Sequence, residues 1–319
     1  MLTLIGRKLI GLVPVLLAVS LITFLMLSLL PGDPALVILG PNATPEAIEI
    51  QREEMGLNDP IPVRYFEWLT DALTGDLGQS ARTNQPVTES ISERLPVTFQ
   101  IMVVTLAMAL MVAIPLGVLV GYKSGTLLDR IVTAVSFGLL SIPNFVIAIG
   151  LVIIFAVELG WFPAISMPKF TEDPIDSLRS TVLPAAALAI GNIAVLTRLL
   201  RTDMIATLQE DHVVMARAKG IPTRRILFRH ALRPSSFSLM TVIGLQIAAL
   251  ISGTLIIETI FALPGLGSFL YRAILDRDFV VVQGVVLFLA VLYVFVNFTI
   301  DILYSFLDPR IRHGQRATA

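Results

Sequence analysis

Six long apolar runs, separated by polar segments, dominate the pattern of hydrophobic and polar positions along this chain. Crossing the hydrocarbon core of a bilayer takes about 20 mostly apolar residues in a helix. The runs cover residues 9–30, 97–120, 131–157, 182–200, 237–257 and 280–307, and Arg198 and Asp301 are the only ionisable residues within them. Since backbone amides inside a bilayer have no water to bond, helices are the expected structure. The pattern predicts an all-α polytopic membrane protein with six transmembrane helices.

Composition points to the same class. Apolar residues make up 55% of the chain even without glycine, and charged residues only 15%. The mean hydropathy of +0.83 exceeds what a soluble domain usually shows. We therefore interpret the chain as a membrane protein.

The positions of Lys and Arg predict the orientation. If the N-terminus is inside, fifteen of the 23 Lys and Arg residues fall in cytosolic segments and eight fall outside. Cytosolic loops are the ones enriched in positive charge. We expect both termini in the cytosol. A cleaved signal peptide is the alternative for residues 1–30, but the apolar stretch is too long and no small-x-small site precedes Pro31, so we expect a retained transmembrane helix.

The segment 31–96 is predicted to be extracytoplasmic. It holds eleven acidic and four basic residues, and short helices are expected over 45–55 and 63–73. Two interpretations stay open. The segment is either a solvated cap over the helix bundle or a platform for an external partner, with Tyr65, Phe66 and Trp68 supplying contact area.

Several kinds of site are not expected. The chain has no cysteine, which excludes disulfides and thiolate metal sites, and its three histidines all fall on the predicted cytosolic side. There is no phosphate-binding loop and no Gly-Lys pair, so ATP is not bound in the P-loop manner. No catalytic constellation and no metal site is predicted, and no cofactor is expected on this chain.

Uncharged polarity inside the spans marks a candidate pathway. Asn144, Asn192 and Gln246 lie in the third, fourth and fifth runs, and Pro115, Pro143 and Pro184 can loosen locally the helices that contain them. Amides of this kind often serve as interhelical hydrogen-bonding groups instead. Their presence in three successive runs favours a pathway for a polar solute. Glycines recur in the same part of the chain, where close helix packing is the expected role: Gly138, Gly150, Gly191, Gly244 and Gly253.

The cytosolic loop 201–236 contains a candidate docking surface. A short helix is predicted to end at Gly220, with small residues at Ala216 and Ala218 where another surface can approach, and with Arg217 and Lys219 positioned to reach acidic groups on it. A second helix from Thr223 is expected to anchor through Ile226, Leu227 and Leu232 and to expose Arg224, Arg225, Arg229 and Arg233. The alternative is an amphipathic helix that merely lies on the membrane.

Seven stretches, in order along the whole chain, resemble the B-type permease subunit of bacterial dipeptide and oligopeptide ABC importers. They are Leu29-Leu-Pro-Gly-Asp-Pro34, Gly75-Asp-Leu-Gly78, Glu93-Arg-Leu-Pro-Val-Thr98, Ala216-Arg-Ala-Lys-Gly220, Arg229-His-Ala-Leu-Arg233, Glu258-Thr-Ile-Phe-Ala-Leu-Pro-Gly-Leu-Gly267 and Leu307-Asp-Pro-Arg310. In the permease docking motif, written Glu-Ala-Ala, three residues, Gly, Gly220 matches the glycine and Ala216 the second alanine. Val214 and Met215 replace the acid and the first alanine, and Asp211 and Glu210 are the nearest acidic residues.

The resemblance implies a fold and partners. It implies a type I ABC importer permease in the bacterial inner membrane, with a five-helix core over 97–310 and a cytosolic tail over 311–319. Partners would be a homologous second permease, two ATPase subunits that bind ATP and Mg²⁺, an external binding protein and a peptide substrate, with membrane lipid around the chain and no nucleic acid. Transport would proceed by alternating access.

The resemblance also assigns candidate residues. Coupling to the ATPases would involve Asp211, Met215, Ala216, Arg217, Ala218, Lys219 and Gly220. An outer gate would involve Glu258, Phe261, Pro264, Gly265 and Gly267, with ordinary turn chemistry as the alternative.

Three alternatives remain open on the sequence. A nickel or glutathione importer would use the same permease architecture. A channel or ion-coupled carrier would need intramembrane carboxylates or a filter. A membrane receptor or scaffold would tolerate loss of the three amides.

Overall fold

The computed structural model describes residues 2–28, 34–40, 43–54, 56–163 and 167–307. The predictions for Leu29 to Asp33, for Met55, for Asp308 to Arg310 and for the tail 311–319 lie outside these residues. The helices in chain order are α1 Leu2–Ser28, α2 Pro34–Leu39, α3 Pro45–Glu54, α4 Ile61–Thr74, α5 Val87–Tyr122, α6 Leu127–Leu140, α7 Asn144–Leu151, α8 Pro174–Thr207, α9 Asp211–Ala218, α10 Thr223–Arg225, α11 Leu232–Ile260, α12 Leu266–Leu275 and α13 Phe279–Leu307. Two π-helical segments, Val152–Glu158 and Ile226–Ala231, continue α7 and α10. The described residues contain no β-strand.

The chain divides into two compact units. Unit 1 comprises residues 1–98 and 264–295, and unit 2 comprises residues 99–263 and 296–319. Unit 1 holds the short helices of the predicted external segment, and the predicted bounds of α3 and α4 are close to the observed ones. Within this unit, Ser80 donates to Asp278 at 2.6 Å and the backbone N–H of Leu266 donates to Thr98 Oγ1 at 2.9 Å. These buried bonds hold the loop before α5 and the start of α12 in place.

Helix α8 organises unit 2. It packs against α6, α7 and α11, and its Leu196, Leu200 and Met204 lie in a buried core. Helices α5 and α8 run parallel, because residues early in α5 contact residues early in α8 and later residues of α5 contact later residues of α8. Gln100 Nε2 donates to Thr181 Oγ1 at 2.9 Å, and a Cβ on Gly121 would lie 2.7 Å from Met204 Cβ.

The third apolar run differs from its prediction. Residues 131–157 were expected to form one helix, but α6 and the helix from Asn144 to Glu158 meet at 99°. The break falls at Ser141 to Pro143, where proline lacks the backbone N–H that would continue the α6 ladder. By length and composition the described residues contain four helices that could cross a membrane, or five if the bent pair counts as one, and Gly11–Met26 of α1 is a shorter apolar stretch.

The predicted packing role of the glycines is only partly confirmed. A Cβ on Gly244 would lie 2.5 Å from Ile300, so that glycine permits a close approach. A Cβ on Gly138 or Gly150 would meet no neighbouring element of the described residues within 4 Å, so neither glycine permits a close approach within this part of the chain. Glycine alone does not reveal which face of a helix meets a neighbour. Gly117 and Gly121, where α5 lies close against α8, were not predicted to be packing positions.

Candidate coupling and pathway sites

Helix α9 and the turn after it form the predicted coupling segment. Asp211 lies in the first turn, where the positive end of the helix dipole stabilises a negative charge. Gly220 has a φ of 72°, a left-handed conformation that favours glycine, and its N–H donates to the Arg217 carbonyl at 2.9 Å. The Ile221 N–H donates to the Ala216 carbonyl at 3.2 Å. The predicted stop at Gly220 is therefore present, and α10 begins after Pro222.

The two faces of α9 are not the ones that the sequence indicated. Ala216 was expected to offer a small exposed surface, but it is 5% exposed and packs in the core of unit 2 beside Val213. The spacing of three residues puts both side chains on one face. Val214 and Met215 are 53% and 58% exposed instead. The outward apolar surface of α9 is thus formed by the residues that replace the acid and first alanine of the permease motif, with Ala218 also exposed.

Cationic side chains border this apolar surface. Arg217 and Lys219 are exposed, as are Arg224 and Arg225 at the start of the next helix. Arg217 also lines an open cavity of roughly 620 Å³, together with Tyr122, Gln209, Thr223 and other residues of unit 2. The segment therefore presents an apolar centre bordered by cations on its C-terminal side and by Asp211 at its N-terminal end, and the cations suit a partner surface carrying acidic groups.

The second helix anchors the segment as predicted. Ile226, Leu227 and Leu232 pack on the core of unit 2, and Arg224, Arg225, Arg229 and Arg233 are exposed. Through the π-helical segment this helix continues into α11, so that residues Thr223–Ile260 form one long apolar helix. Thr207 and Ser235 hydrogen-bond at 3.1 Å, and His212 Nε2 lies 3.2 Å from the His230 carbonyl. Displacement of α9 is thus connected directly to a helix long enough to cross the membrane.

A buried ion pair that was not predicted lies near the C-terminal end of α8. The Nε and Nη2 atoms of Arg201 both donate to the Asp129 carboxylate, and Nη2 lies 2.7 Å from Oδ2. Asp129 also accepts the Gly125 N–H at 2.8 Å and caps the turn before α6. The only sequence signal was an Arg and an Asp just beyond the ends of apolar runs, and such loop charges usually face water.

The three amides predicted to line a pathway lie on helices that pack together. Asn144 is the first residue of α7, Asn192 lies on α8 and Gln246 on α11, and these three helices contact one another. A Cβ on Gly191 would lie 3.4 Å from Asn144 Oδ1, so the Asn144 amide is next to the backbone of α8. Asn192 donates to the Leu188 carbonyl at 2.8 Å, within its own helix. Asn144 is exposed and the other two are half-buried.

The residues predicted for an outer gate lie on both sides of the boundary between the two units. Glu258 and Phe261 are 0% and 1% exposed in unit 2, and the Leu263 N–H donates to the Glu258 carbonyl at 2.8 Å. Pro264 is exposed in unit 1, where Gly265 precedes α12 and is buried with Gly267. Ala262 has a φ of 50°, which turns the chain sharply. This geometry accounts for the turn, and a gating role stays a prediction.

Two family descriptions match successive parts of the chain. Residues 113–313 match the family described as binding-protein-dependent transport system inner membrane component. Residues 1–102 match the N-terminal region described for the same kind of membrane component. The boundary between the matches falls within α5.

Similar chains and a similar structure are known. A chain of Brucella abortus (strain 2308), named as a peptide transport system permease protein, is 43% identical over 301 residues, which cover 94% of this chain and 96% of that one. The oligopeptide transport system permease protein AppB of Bacillus subtilis (strain 168) is 38% identical, over 94% of this chain and 96% of AppB. An inward-facing structure of the MetNI methionine ABC transporter shares the fold, with a TM-score of 0.56 and 17% identity over 68% of this chain and 96% of that one.

Proposed function

The chain belongs to the family of binding-protein-dependent transport system inner membrane components, and from that premise we propose that it is the permease subunit of an ATP-driven importer of di- and oligopeptides. As a member of this family it is a multi-pass protein of the cytoplasmic membrane and a transport subunit. In the proposed complex a second permease forms the other half of the pathway, separate subunits hydrolyse ATP, and an external binding protein delivers the solute. The names of the Brucella and Bacillus relatives support a peptide as that solute.

The observation that carries the coupling role is the geometry of α9. Val213 and Ala216 fix the helix to the core of unit 2, while Val214 and Met215 remain outside with cations around them. Movement of a partner bound to this outward face would be passed to the core of unit 2, because the second helix of the loop continues into the long apolar helix Thr223–Ile260. Such a connection suits a rigid-body change between two access states.

The parallel arrangement of α5 and α8 supports the proposed six-span topology. Two consecutive parallel spans need a return crossing between them, and the bent pair of helices 127–158 lies in that interval. With α1 as the first span, the count becomes six and both termini fall on the same side. The excess of Lys and Arg assigns that side to the cytosol.

The coupling proposal is tested with the double variant Val214→Asp and Met215→Asp in the complete transporter. Both side chains are more than half exposed, so the membrane subunit should fold and assemble in the bilayer. Two carboxylates in place of the apolar centre should abolish both ATPase association and ATP-driven uptake. Uptake of radiolabelled di- and tripeptides into proteoliposomes and co-purification of the ATPases are the measurements.

The matched control is Ala206→Asp, which introduces a carboxylate at an exposed position in the last turn of α8, outside the proposed contact. It should retain uptake and ATPase association. Full uptake by the double variant would contradict the coupling role. Wild-type uptake of nickel or glutathione but not peptides would refute the solute assignment alone, and uptake without ATP would refute the ATP-driven mechanism.

A further inference from the structure

Helix α4 carries two apolar stripes, and only one of them is used within unit 1. With 3.6 residues per turn, positions four and three apart share a face. The first stripe, which contains Tyr65 and Trp68, packs on α1, and Tyr65 is 8% exposed. Tyr65 therefore offers no contact area to an external partner, contrary to one of the two interpretations of this segment. The second stripe lies roughly a quarter turn away and consists of Pro62, Phe66, Leu69 and Leu73.

The second stripe is uncovered and lies opposite a charged sector. Phe66 is 64% and Leu73 is 79% exposed, among the most exposed large apolar side chains of the chain's described part. Glu67 and Asp71 are also exposed and project nearly opposite to this stripe. A helix with one apolar and one charged face beside a transmembrane helix is typical of a segment at a boundary between lipid and water.

The contacts with α1 show how deep α4 sits. Tyr65 Oη lies 2.9 Å from Ser20 Oγ, and the centre of the Phe24 ring lies 5.5 Å from that of Tyr65 and 5.8 Å from that of Trp68. Along α1, Phe24 is about 6 Å and Ser20 about 12 Å from the helix end at Ser28, at 1.5 Å per residue. Tyr65 and Trp68 thus contact α1 well before its end.

The length of α1 allows the depth of these contacts in the bilayer to be estimated. Its 27 residues span about 40 Å, whereas the hydrocarbon core of a bilayer is about 30 Å thick. If the hydrocarbon begins with the apolar run near residue 9, it ends close to Ser28, which puts Phe24 about 6 Å and Ser20 about 12 Å inside it. A helix whose tyrosine reaches Ser20 therefore lies within or below the level where headgroups meet acyl chains, which is where amphipathic helices bury an apolar face.

We infer that α4 is an interfacial helix that inserts Phe66, Leu69 and Leu73 among the acyl chains of the leaflet at the C-terminal end of α1. Under the proposed topology this is the outer leaflet. In this arrangement Glu67 and Asp71 face water, and the contact with α1 holds α4 beside that helix. Leu21 and Ile22 of α1 are likewise exposed and apolar, as expected of a transmembrane helix that faces lipid. The external segment is thereby anchored at a second point besides its connections to α1 and α5.

The absence of cysteine from the chain permits a direct test. Single variants Phe66→Cys and Leu73→Cys, spin-labelled and reconstituted alone in phospholipid vesicles, are compared with Glu67→Cys and Asp71→Cys on the charged sector. Power saturation measures collisions of each label with oxygen, which concentrates in the bilayer, and with a water-soluble nickel chelate. Positions 66 and 73 should show a several-fold higher ratio of oxygen to chelate collisions than positions 67 and 71.

The opposite result has a distinct meaning. If labels at 66 and 73 collide freely with the chelate in vesicles that hold no other protein, the inference is overturned. Chelate protection that arises only after a soluble binding protein is added would identify the stripe as a protein-docking face instead. All four side chains are exposed, so folding should survive, and Phe66→Trp with quenching by brominated lipid provides a second reading. Neither assay involves peptide, ATP or ATPases, so its failure is separable from failure of the transport proposal.

Discussion

At the scale of single residues, the buried ion pair between Asp129 and Arg201 is the contact whose loss should lower the free energy of unfolding most. Asp129 is 3% exposed and accepts hydrogen bonds from Arg201, from the Gly125 N–H and from Thr133. Removing one partner of a buried ion pair leaves the other charge uncompensated, which is more costly than losing a surface pair. This pair joins the start of α6 to the last part of α8.

We predict that Asp129→Asn destabilises the protein by about 3 kcal/mol, the lower end of the range for a broken buried pair, because Arg201 keeps partial access to water. The Arg201 side chain is 27% exposed. Thermal unfolding of the detergent-solubilised protein measures the effect. Glu93→Gln is the matched control, since Glu93 is 56% exposed and lies 3.6 Å from Arg94. Its loss should cost less than about 1 kcal/mol, and equal effects of the two variants would contradict the prediction.

At the scale of elements, the approach of α5 to α8 depends on two glycines one turn apart. Gly117 and Gly121 face Leu200 and Met204, and a Cβ at either position would lie under 3.0 Å from the Cβ of its neighbour. Small residues at such spacing let transmembrane helices pack closely. A Cβ atom is fixed to the backbone, so a larger residue must move a helix.

Gly121→Ala should therefore destabilise unit 2 by about 1–3 kcal/mol through overpacking, despite the higher helix propensity of alanine. Gly138→Ala is the same substitution in open space, and it should be neutral or stabilising by up to about 1 kcal/mol. Denaturation of both variants in mixed micelles compares them. A stabilised Gly121→Ala protein would show that the contact is looser than the structure has it.

The third apolar run shows what could not be predicted about an element from the sequence. The apolar run at 131–157 carried the signal for membrane insertion, but the 99° bend depends on Pro143. Proline is common in transmembrane helices and often only kinks them, because neighbouring groups satisfy the freed carbonyls. Whether it breaks a span depends on the helices packed around it. Here α7 packs on α8 and α11.

At the scale of the whole molecule, the proposed topology makes a labelling prediction. Cysteines introduced singly at Gln85 and Glu172, both exposed, should react in intact cells with a membrane-impermeant maleimide. Cysteines at Lys123 and Lys219, also exposed, should react only after the cells are permeabilised. Gel shifts of the labelled protein measure the reaction, and reaction at Lys219→Cys in sealed cells would reverse the orientation.

The sequence by itself determined the class of this protein, the places of its apolar helices and the stop at Gly220. These features depend on local composition, on the lack of water in a bilayer and on the conformational freedom of glycine, all of which can be read along the chain. The resemblance to peptide importer permeases was likewise recognisable from seven short stretches, and the family is confirmed.

The tertiary structure alone decided which side of each helix is used. It turned Ala216 inward and left Val214 and Met215 outward, joined Asp129 to Arg201, and committed Tyr65 to α1 while leaving Phe66 uncovered. A membrane helix is apolar nearly all round, so its hydropathy does not distinguish a face that meets lipid from one that meets another helix. Only contacts between residues far apart in the chain separate the two.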